Sequence, residues 1–287
     1  MVRMAPRIWR CGRHELPLGE RTLVMGIVNV TPDSFSDGGM FGGPLDAVAH
    51  GARLVDEGAD LLDVGGESTR PGSDPVSAEE ESERVLPVID GLLAARPGVP
   101  VSVDTRKAAV ARTALAAGAS IVNDISAGAE PEMFAVVAEA GAGMVLMHMK
   151  GEPKTMQVEP HYDDVVAEVH EYLRERIEAA VFAGVEVDRL AVDPGIGFGK
   201  DLGHNLELLR RLDAFQNLGV VVLLGPSRKR FIGTLTGVED PAERIDGTAA
   251  AVAWCAANGA DVVRVHDVKA MARVVKVTDT IARDLAR

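Results

Sequence analysis

The sequence feature that most constrains the fold is a short apolar run followed by a helical pattern, repeated eight times between residue 23 and the end of this 287-residue chain. Each run is rich in Val, Leu and Ile, which is typical of strands that are buried on both faces of a parallel sheet. The predicted strands cover residues 23–28, 60–64, 99–104, 120–125, 144–148, 190–193, 220–225 and 262–266.

Helices are predicted between these strands because apolar residues recur there at helical spacing. The first predicted helix has an apolar face made of Ala47, Val48, Gly51, Ala52 and Val55. The others cover residues 78–95, 107–117, 131–140, 165–181, 206–212, 228–235, 241–258 and 268–285. The helix over 165–181 carries an apolar face of Val165, Val166, Val169, Leu173, Ile177 and Val181.

Eight strand and helix units predict an α/β fold, a closed (β/α)₈ TIM barrel over residues 21–287, preceded by an N-terminal extension and short hairpin over residues 1–20. The alternative is a doubly wound open sheet, which would need a Gly-x-Gly-x-x-Gly turn after its first strand. The chain has Val-Asn-Val-Thr-Pro-Asp there instead. The pattern therefore favours the barrel, as a single domain with no linker.

The composition excludes several classes of protein. A formal net charge of -13 argues against nucleic acid as a partner, because nucleic-acid-binding proteins usually present a basic face. Two cysteines, both outside the glycine-rich motifs, fit a reducing compartment and give no thiolate metal site. No signal peptide and no stretch of about 18 apolar residues is visible, so we expect a cytoplasmic protein without a membrane partner.

Polar residues end nearly every predicted strand. A single one could cap a helix, but a ring of them at one end of a barrel would cost about 1 to 3 kcal/mol for each buried group left unpaired. Because barrel active sites lie at the C-terminal ends of the strands, the ring predicts a ligand site. Its members are Asn29, Asp63, Asp104, Asn123, Asp124, His148, Asp193, Ser227, Arg228, Lys229, Arg264, His266 and Asp267.

The candidate site residues divide by charge into two groups. Carboxylates and amides with one lysine suit a flat heterocycle rich in N–H and carbonyl groups, and these are Asp104, Asn123, Asp193 and Lys229. Cationic and small polar residues suit a phosphate or pyrophosphate, and these are Asn29, Thr69, Arg70, Arg264 and His266. The stretch 63–72, Asp-Val-Gly-Gly-Glu-Ser-Thr-Arg-Pro-Gly, combines glycines, hydroxyls and a guanidinium and would bind an anion well.

Several other chemistries lack their motifs. The stretch 193–200, Asp-Pro-Gly-Ile-Gly-Phe-Gly-Lys, is not a P-loop, because Pro194 replaces the first glycine and Asp201 replaces the Ser or Thr. The sequence has no Gly-x-Ser-x-Gly turn, no His-Glu-x-x-His and no cysteine beside a candidate base. Hydrolytic nucleophiles and zinc sites are therefore not supported.

Eight ordered blocks of this sequence together resemble the dihydropteroate synthases, a family of pterin-binding TIM barrels, from about Leu23 to Ala282. The blocks are residues 25–39, 63–72, 102–105, 123–125, 147–149, 193–200, 227–229 and 264–268. The resemblance implies a cytoplasmic transferase of folate biosynthesis, a sulfonamide target, usually homodimeric and working with Mg²⁺. Members join 4-aminobenzoate to 6-hydroxymethyl-7,8-dihydropterin pyrophosphate and release pyrophosphate.

The resemblance also implies roles for individual residues. Pterin would be held by Asp104, Asn123, Met147, Asp193 and Lys229. Pyrophosphate would be bound by Asn29, Thr69, Arg264 and His266, with Asn29 beside the metal. Aminobenzoate would be bound by Phe35, Thr69, Arg70, Pro71, Phe198 and Arg230. The residues expected to take part in catalysis are Arg70, Asp104, Asp193, Lys229, Arg264 and His266.

The chain departs from the family pattern at two positions. Many members carry serine where this chain has Arg230, although arginine can itself pair with a carboxylate. Ala127 stands where the family often has glycine. Two alternative functions are a pterin-dependent methyltransferase of the same fold, which has no need for Arg70 or the Arg264 and His266 anion site, and a non-catalytic pterin-binding paralogue, which would have lost loop or anion residues.

Overall fold

The computed structural model describes residues 7–30, 43–68, 74–152 and 154–283. Four predicted site residues, Phe35, Thr69, Arg70 and Pro71, lie outside this described part of the chain. Within it the fold is a closed barrel of eight parallel strands, with an antiparallel two-stranded hairpin in front. The predicted TIM barrel is confirmed, and the open sheet is excluded because the last strand pairs with the first barrel strand, Val262 opposite Leu23.

The ten strands are short and lie close to the predicted positions. They are β1 (Arg7–Cys11), β2 (His14–Leu18), β3 (Leu23–Asn29), β4 (Leu61–Gly65), β5 (Val101–Asp104), β6 (Ile121–Asp124), β7 (Gly143–Met147), β8 (Leu190–Asp193), β9 (Val221–Leu224) and β10 (Val262–Val265). Strand β5 begins later than the apolar run suggests, because Pro100 has no N–H group to give to the sheet. The Pro100 carbonyl still accepts a hydrogen bond from the N–H of Leu62, at 3.1 Å.

Helices cover the outside of the barrel. They are α1 (Pro44–Asp56), α2 (Ala78–Ala95), α3 (Ala108–Ala116), α4 (Met133–Ala140), α5 (Val165–Phe182), α6 (Leu202–Arg210), α7 (Arg230–Thr236), α8 (Ile245–Ala257) and α9 (Val268–Ala282), with short 3₁₀ helices over Val187–Arg189, Leu212–Leu218 and Pro241–Glu243. The segment predicted as one helix over 241–258 is therefore a 3₁₀ turn followed by α8. None of the helices among these residues is long and apolar enough to span a membrane.

The apolar face predicted for α5 is wrong at its last member. Val181 is 45% exposed, whereas Ala180 is fully buried. Two helical turns beyond Leu173, a period of 3.6 residues points residue 180 towards the core, and residue 181 has already rotated away from it. The sequence pattern favoured Val181 because valine is the more apolar of the two.

The hairpin closes the N-terminal end of the barrel. Trp9, Cys11 and Leu18 are buried against the side chains that fill the barrel interior, among them Met25 and Leu61. The indole N–H of Trp9 donates to the Arg189 carbonyl at 3.0 Å, just before β8. With this end filled by apolar side chains, the opposite, C-terminal end is the one that can hold a ligand.

Candidate active site

Polar side chains from neighbouring strands share one layer at the C-terminal end of the barrel. Asp104 on β5 lies opposite Asn123 on β6, and Met147 on β7 lies opposite Asp193 on β8. Residues in register on adjacent strands point to the same face of a sheet, so these four side chains surround one space. Asn123, Met147 and Asp193 are buried, and Asp104 is partly exposed.

Arg264 on β10 reaches across this space and pairs with two carboxylates. Its Nε lies 2.6 Å from Asp63 Oδ2, and its Nη2 lies 2.8 Å from Asp104 Oδ2. Asn123 Nδ2 donates to the same Asp63 oxygen at 3.0 Å. The other oxygen, Asp63 Oδ1, is buried with no hydrogen-bond partner among the described residues. Asp63, which was predicted only as a member of the polar ring, therefore fixes both Arg264 and Asn123.

This grouping differs from the division made from the sequence. Arg264 was grouped with the anion-binding residues, yet its guanidinium lies between Asp63 and Asp104, beside the residues expected to bind the heterocycle. Burial raises the pKa of Asp104 to about 7, against the opposing attraction of Arg264. Arg264 thus favours the charged form of Asp104, and burial favours the neutral form.

Lys229 supplies a second cation on the other side of the space. Its Nζ lies 4.1 Å from the centre of the Phe198 ring, a cation–π contact. Burial lowers the pKa of Lys229 to about 8, although nearby Asp193 favours the charged form. Asp193 in turn accepts a hydrogen bond from the Gly195 N–H at 2.7 Å. Lysine, aromatic ring and carboxylate therefore form one unit at the ends of β8 and β9.

Sterics require glycine at position 195, in the glycine-rich stretch after β8. Its φ is +73°, and a Cβ atom there would lie 1.9 Å from the His148 carbonyl oxygen. Only glycine fits such a position. The close approach brings the loop after β8 against the loop after β7.

Lys200, to which the sequence assigned no role, joins those same two loops. It is 2% exposed, and its Nζ lies 2.9 Å from His148 Nδ1, 2.9 Å from the Phe198 carbonyl and 3.3 Å from the His148 carbonyl. Burial lowers the pKa of Lys200 to about 7 and that of His148 to about 2, so the imidazole is neutral. His148 was predicted in the polar ring, and its Nδ1 faces Lys200.

The remaining predicted residues lie around the rim of the site. Asn29 ends β3 and is partly exposed, opposite Gly65 of β4. His266 follows β10, and its Nδ1 lies 3.0 Å from Ser227 Oγ after β9. Arg230 is the first residue of α7 and is exposed. The structure thus brings together Asp104, Asn123, Asp193, Lys229 and Arg264, with Asn29, His266 and Arg230 nearer the edge.

Known proteins are similar to this chain in both sequence and fold. The family described as pterin binding enzyme matches residues 25–266. The dihydropteroate synthase of Synechocystis is 47% identical over 266 residues, which cover 92% of each chain. A solved structure of Xanthomonas albilineans dihydropteroate synthase with 4-aminobenzoic acid is 51% identical with a TM-score of 0.91, over 96% of this chain and 98% of that one. The same enzyme in complex with 7,8-dihydropteroate is 48% identical, with a TM-score of 0.87 and the same coverage. The chain therefore belongs to the family of pterin-binding enzymes, and within it to the dihydropteroate synthases.

Proposed function

We infer that the chain joins 4-aminobenzoate to 6-hydroxymethyl-7,8-dihydropterin pyrophosphate and releases pyrophosphate. The observation that carries this conclusion is the constellation of Asp63, Asp104, Asn123 and Arg264 facing Asp193 and Lys229 at the C-terminal end of the barrel. Relatives of the chain match nearly its whole length. Among them are enzymes solved with 4-aminobenzoic acid and with 7,8-dihydropteroate. The methyltransferase and the non-catalytic paralogue have no comparable support.

Pterin recognition follows from the donors and acceptors in the barrel layer. A pterin edge carries N–H and NH₂ groups, which carboxylates such as Asp104 and Asp193 accept, while the Asn123 amide can both donate and accept. Met147 would pack against the ring face, because a thioether is polarizable and apolar. The Lys229 ammonium would donate to ring acceptors.

The reaction needs no protein nucleophile. The bond between the methylene carbon and the pyrophosphate oxygen breaks with its electron pair on the oxygen. The amine nitrogen of aminobenzoate forms the new C–N bond and then loses a proton to solvent. Arg264, which carries further N–H donors beyond those bound to Asp63 and Asp104, and His266 would stabilise the leaving group. The Asp104 carboxylate, with Asp193, would stabilise the electron-poor carbon. We propose a loose substitution in which the amine attacks last.

Mg²⁺ is proposed as the cofactor, with Asn29 as its protein ligand. Among the described residues no group of three or more His, Cys, Asp and Glu side chains could hold a metal ion. Mg²⁺ commonly keeps several waters and binds through one or two protein oxygens plus substrate phosphates, so a single amide oxygen at the edge of the site fits an ion that binds together with pyrophosphate. When bound, the ion would neutralise charge on the leaving group.

The aminobenzoate pocket is proposed to combine Phe198 and Arg230 with Phe35, Thr69, Arg70 and Pro71. Sulfonamides carry the same aromatic amine, so we expect them to compete with aminobenzoate for this pocket. Phe198 supports the proposal because its ring is in contact with Lys229, a proposed pterin ligand. Aminobenzoate bound against Phe198 would therefore lie next to the pterin.

We also propose a homodimer in the cytoplasm. The outward faces of α7, α8 and α9 expose Leu235 by 57%, Trp254 by 48%, Val277 by 60% and Ile281 by 72%. Large apolar side chains on neighbouring helices are typical of a protein interface. Both cysteines, Cys11 and Cys255, are free and buried, as suits a reducing compartment. Sedimentation of the wild-type protein and of a Val277→Glu, Ile281→Glu variant would test the dimer, since only the wild type should sediment as two chains.

The test of the reaction mixes protein, Mg²⁺, pterin pyrophosphate and aminobenzoate and looks for dihydropteroate by mass. We expect dihydropteroate to form over many catalytic turnovers, and its absence would contradict the assignment.

The order of steps has its own test. Slow release of pyrophosphate without aminobenzoate is expected, whereas release that strictly requires the amine would show that the amine attacks earlier.

A further inference from the structure

Arg228, in the turn after β9, has a backbone conformation that an arginine rarely adopts. Its φ is +59°, in the left-handed region that favours glycine. It lies between Ser227 and Lys229, at the edge of the proposed site. Strained residues of this kind cluster at active sites and persist only where the surrounding contacts hold them.

Three groups hold Arg228 in place. Its N–H donates to Thr248 Oγ1 at 3.0 Å, and its carbonyl accepts from Arg244 Nη1 at 3.0 Å. Its guanidinium forms a two-pronged pair with Asp267, Nε to Oδ2 at 3.0 Å and Nη2 to Oδ1 at 2.7 Å. Backbone and side chain are therefore fixed together, by α8 on one side and by the loop after β10 on the other.

The residues on either side of this anchor are members of the proposed site. Ser227 Oγ accepts from the backbone N–H of His266 at 3.2 Å and lies 3.0 Å from His266 Nδ1. Asp267, which pairs with Arg228, is the next residue after His266. On the other side of Arg228, Lys229 lies over Phe198. One ion pair thus fixes the loops that carry Lys229 and His266.

We propose that Arg228, through its pair with Asp267, is a positioning residue for Lys229 and His266. This inference rests on the proposed function, because it assigns those two residues to pterin and pyrophosphate. The planar fork matters more than the charge, since it fixes direction as well as distance. The strained backbone is the means by which a single residue can present its neighbours on both sides to one ligand.

The experiment compares Asp267→Asn and Arg228→Lys with the wild type. Asp267→Asn keeps the shape but weakens the pair, and Arg228→Lys keeps the charge but loses the fork. A misplacement of about 1 Å can lower a rate about 100-fold, so we expect kcat to fall about 10- to 100-fold in both variants, with little change in the KM for aminobenzoate or in Tm. The control is Asp56→Asn, which weakens an ion pair far from the site, at the ends of α1 and α2, where Arg96 Nη2 contacts both Asp56 carboxylate oxygens at 2.8 and 2.7 Å. It should leave kcat unchanged.

A second background separates positioning from a general structural role. If Arg228 acts partly through His266, Asp267→Asn should lower kcat much less in a His266→Ala protein than in the wild type. In the His266→Ala protein the side chain that the ion pair positions is already absent, so its effect cannot be lost a second time. Equal losses in both backgrounds, or wild-type kcat in Asp267→Asn and Arg228→Lys, would overturn the proposal.

A binding measurement keeps the inference separate from the proposed function. Calorimetric titration with inorganic pyrophosphate and Mg²⁺ needs no turnover, and we expect about tenfold weaker binding for Asp267→Asn, as for a ligand group held about 1 Å out of place. A wild-type protein that binds pyrophosphate but forms no dihydropteroate would contradict the function alone. If the wild-type protein forms dihydropteroate but Asp267→Asn and Arg228→Lys bind pyrophosphate as tightly as it does, the positioning role alone is contradicted.

Discussion

The two ends of this barrel each hold an arginine–aspartate pair, but the pairs have different neighbours. At the N-terminal end Arg7 pairs with Asp261 and also donates to the Val220 carbonyl at 2.9 Å, while the Val222 N–H donates to Asp261 at 2.8 Å. At the C-terminal end Arg264 pairs with the side chains of Asp63 and Asp104. The first pair is bonded to backbone, and the second to other side chains.

This difference indicates what each pair is for. Bonds to the backbone tie the starts of β9 and β10 to the hairpin, so the N-terminal pair contributes to the fold. A cluster of side chains can shift its bonds to a ligand without disturbing the strands, so the C-terminal cluster can serve binding. Substitutions at the N-terminal end should therefore lower stability without lowering kcat, whereas substitutions in the C-terminal cluster should lower both.

The largest effect is expected for Arg264→Met. It leaves Asp63 and Asp104 without their cation, which should cost about 3 to 5 kcal/mol of unfolding free energy. It also removes a leaving-group donor, which should lower kcat about 100- to 1,000-fold. Urea unfolding and the dihydropteroate assay measure the two effects. Binding of free pterin should also weaken, since Asp104 loses its partner, whereas undiminished pterin binding would show that Arg264 serves the pyrophosphate alone.

Arg7→Met is the control from the other end. It should lower stability by about 1 to 3 kcal/mol, because Asp261 stays buried with one partner fewer, and leave kcat unchanged. A loss of kcat in the folded Arg7→Met protein would break the comparison between the two ends.

Trp9→Ala should be the most destabilising change at the N-terminal end. It empties the space beneath the barrel interior and removes the bond to the Arg189 carbonyl, at an expected cost of about 3 to 5 kcal/mol. The kcat per folded molecule should not change. Urea unfolding gives the stability, and active-site titration with a tight pterin ligand gives the folded fraction. The difference between the ends would be contradicted if the remaining folded protein were slow.

Lys229→Met should change how stability depends on pH. Burial lowers the lysine pKa from 10.5 to about 8, so between those values the unfolded chain binds more protons than the folded one. The wild-type free energy of unfolding therefore gains a contribution that rises with pH from about 8 to 10.5. The variant lacks it, and the wild-type minus variant difference isolates Lys229 from Lys200, whose pKa is also lowered. Parallel stability curves would show that Lys229 is not desolvated.

The smallest effect is expected for Arg230→Ser, which introduces the serine that the family resemblance leads us to expect at this position. Arg230 is exposed, and an exposed ion pair is worth about 0.2 to 1 kcal/mol, so the KM for aminobenzoate should change by at most about fivefold. Lys154→Ser, which removes another exposed cation, is the control. A much larger rise for Arg230→Ser would place the guanidinium directly on the substrate carboxylate.

Most of the fold was predictable because it depends on local pattern. Apolar runs of strand length and helical repeats are visible in the sequence, and eight such strands alternating with helices leave few arrangements other than a closed barrel. Errors occurred where geometry decided between neighbours, as with Val181 and Ala180 on α5, or where Pro100 delayed the start of β5. Such choices depend on helical phase and backbone donors, which hydrophobicity does not record.

Which polar residues lie together was more predictable than which of them pair. The polar strand ends predicted one cluster of Asp104, Asn123, Asp193, Lys229 and Arg264, and the structure brings these residues together. The sequence could not reveal that Arg264 reaches Asp63, 201 residues away, because that contact depends on barrel closure and side-chain length. Lys200 and Arg228 were missed as structural anchors, since their contacts depend on loops whose backbone includes left-handed residues. A lysine at the end of a glycine-rich run is the one signal that could have drawn attention to Lys200.

The hairpin that closes the barrel has a consequence for the order in which the protein folds. It is synthesised well before the residues that it contacts, because Trp9 bonds to residue 189 and Arg7 to residues 220 and 261. At about 5 to 20 residues per second, the ribosome needs about ten to fifty seconds to add the intervening chain. During that time Trp9 and Leu18 have no finished barrel to pack against, so a nascent chain of this protein should depend on chaperones until β10 has been released. The hairpin is then buried at the same step in which the barrel closes.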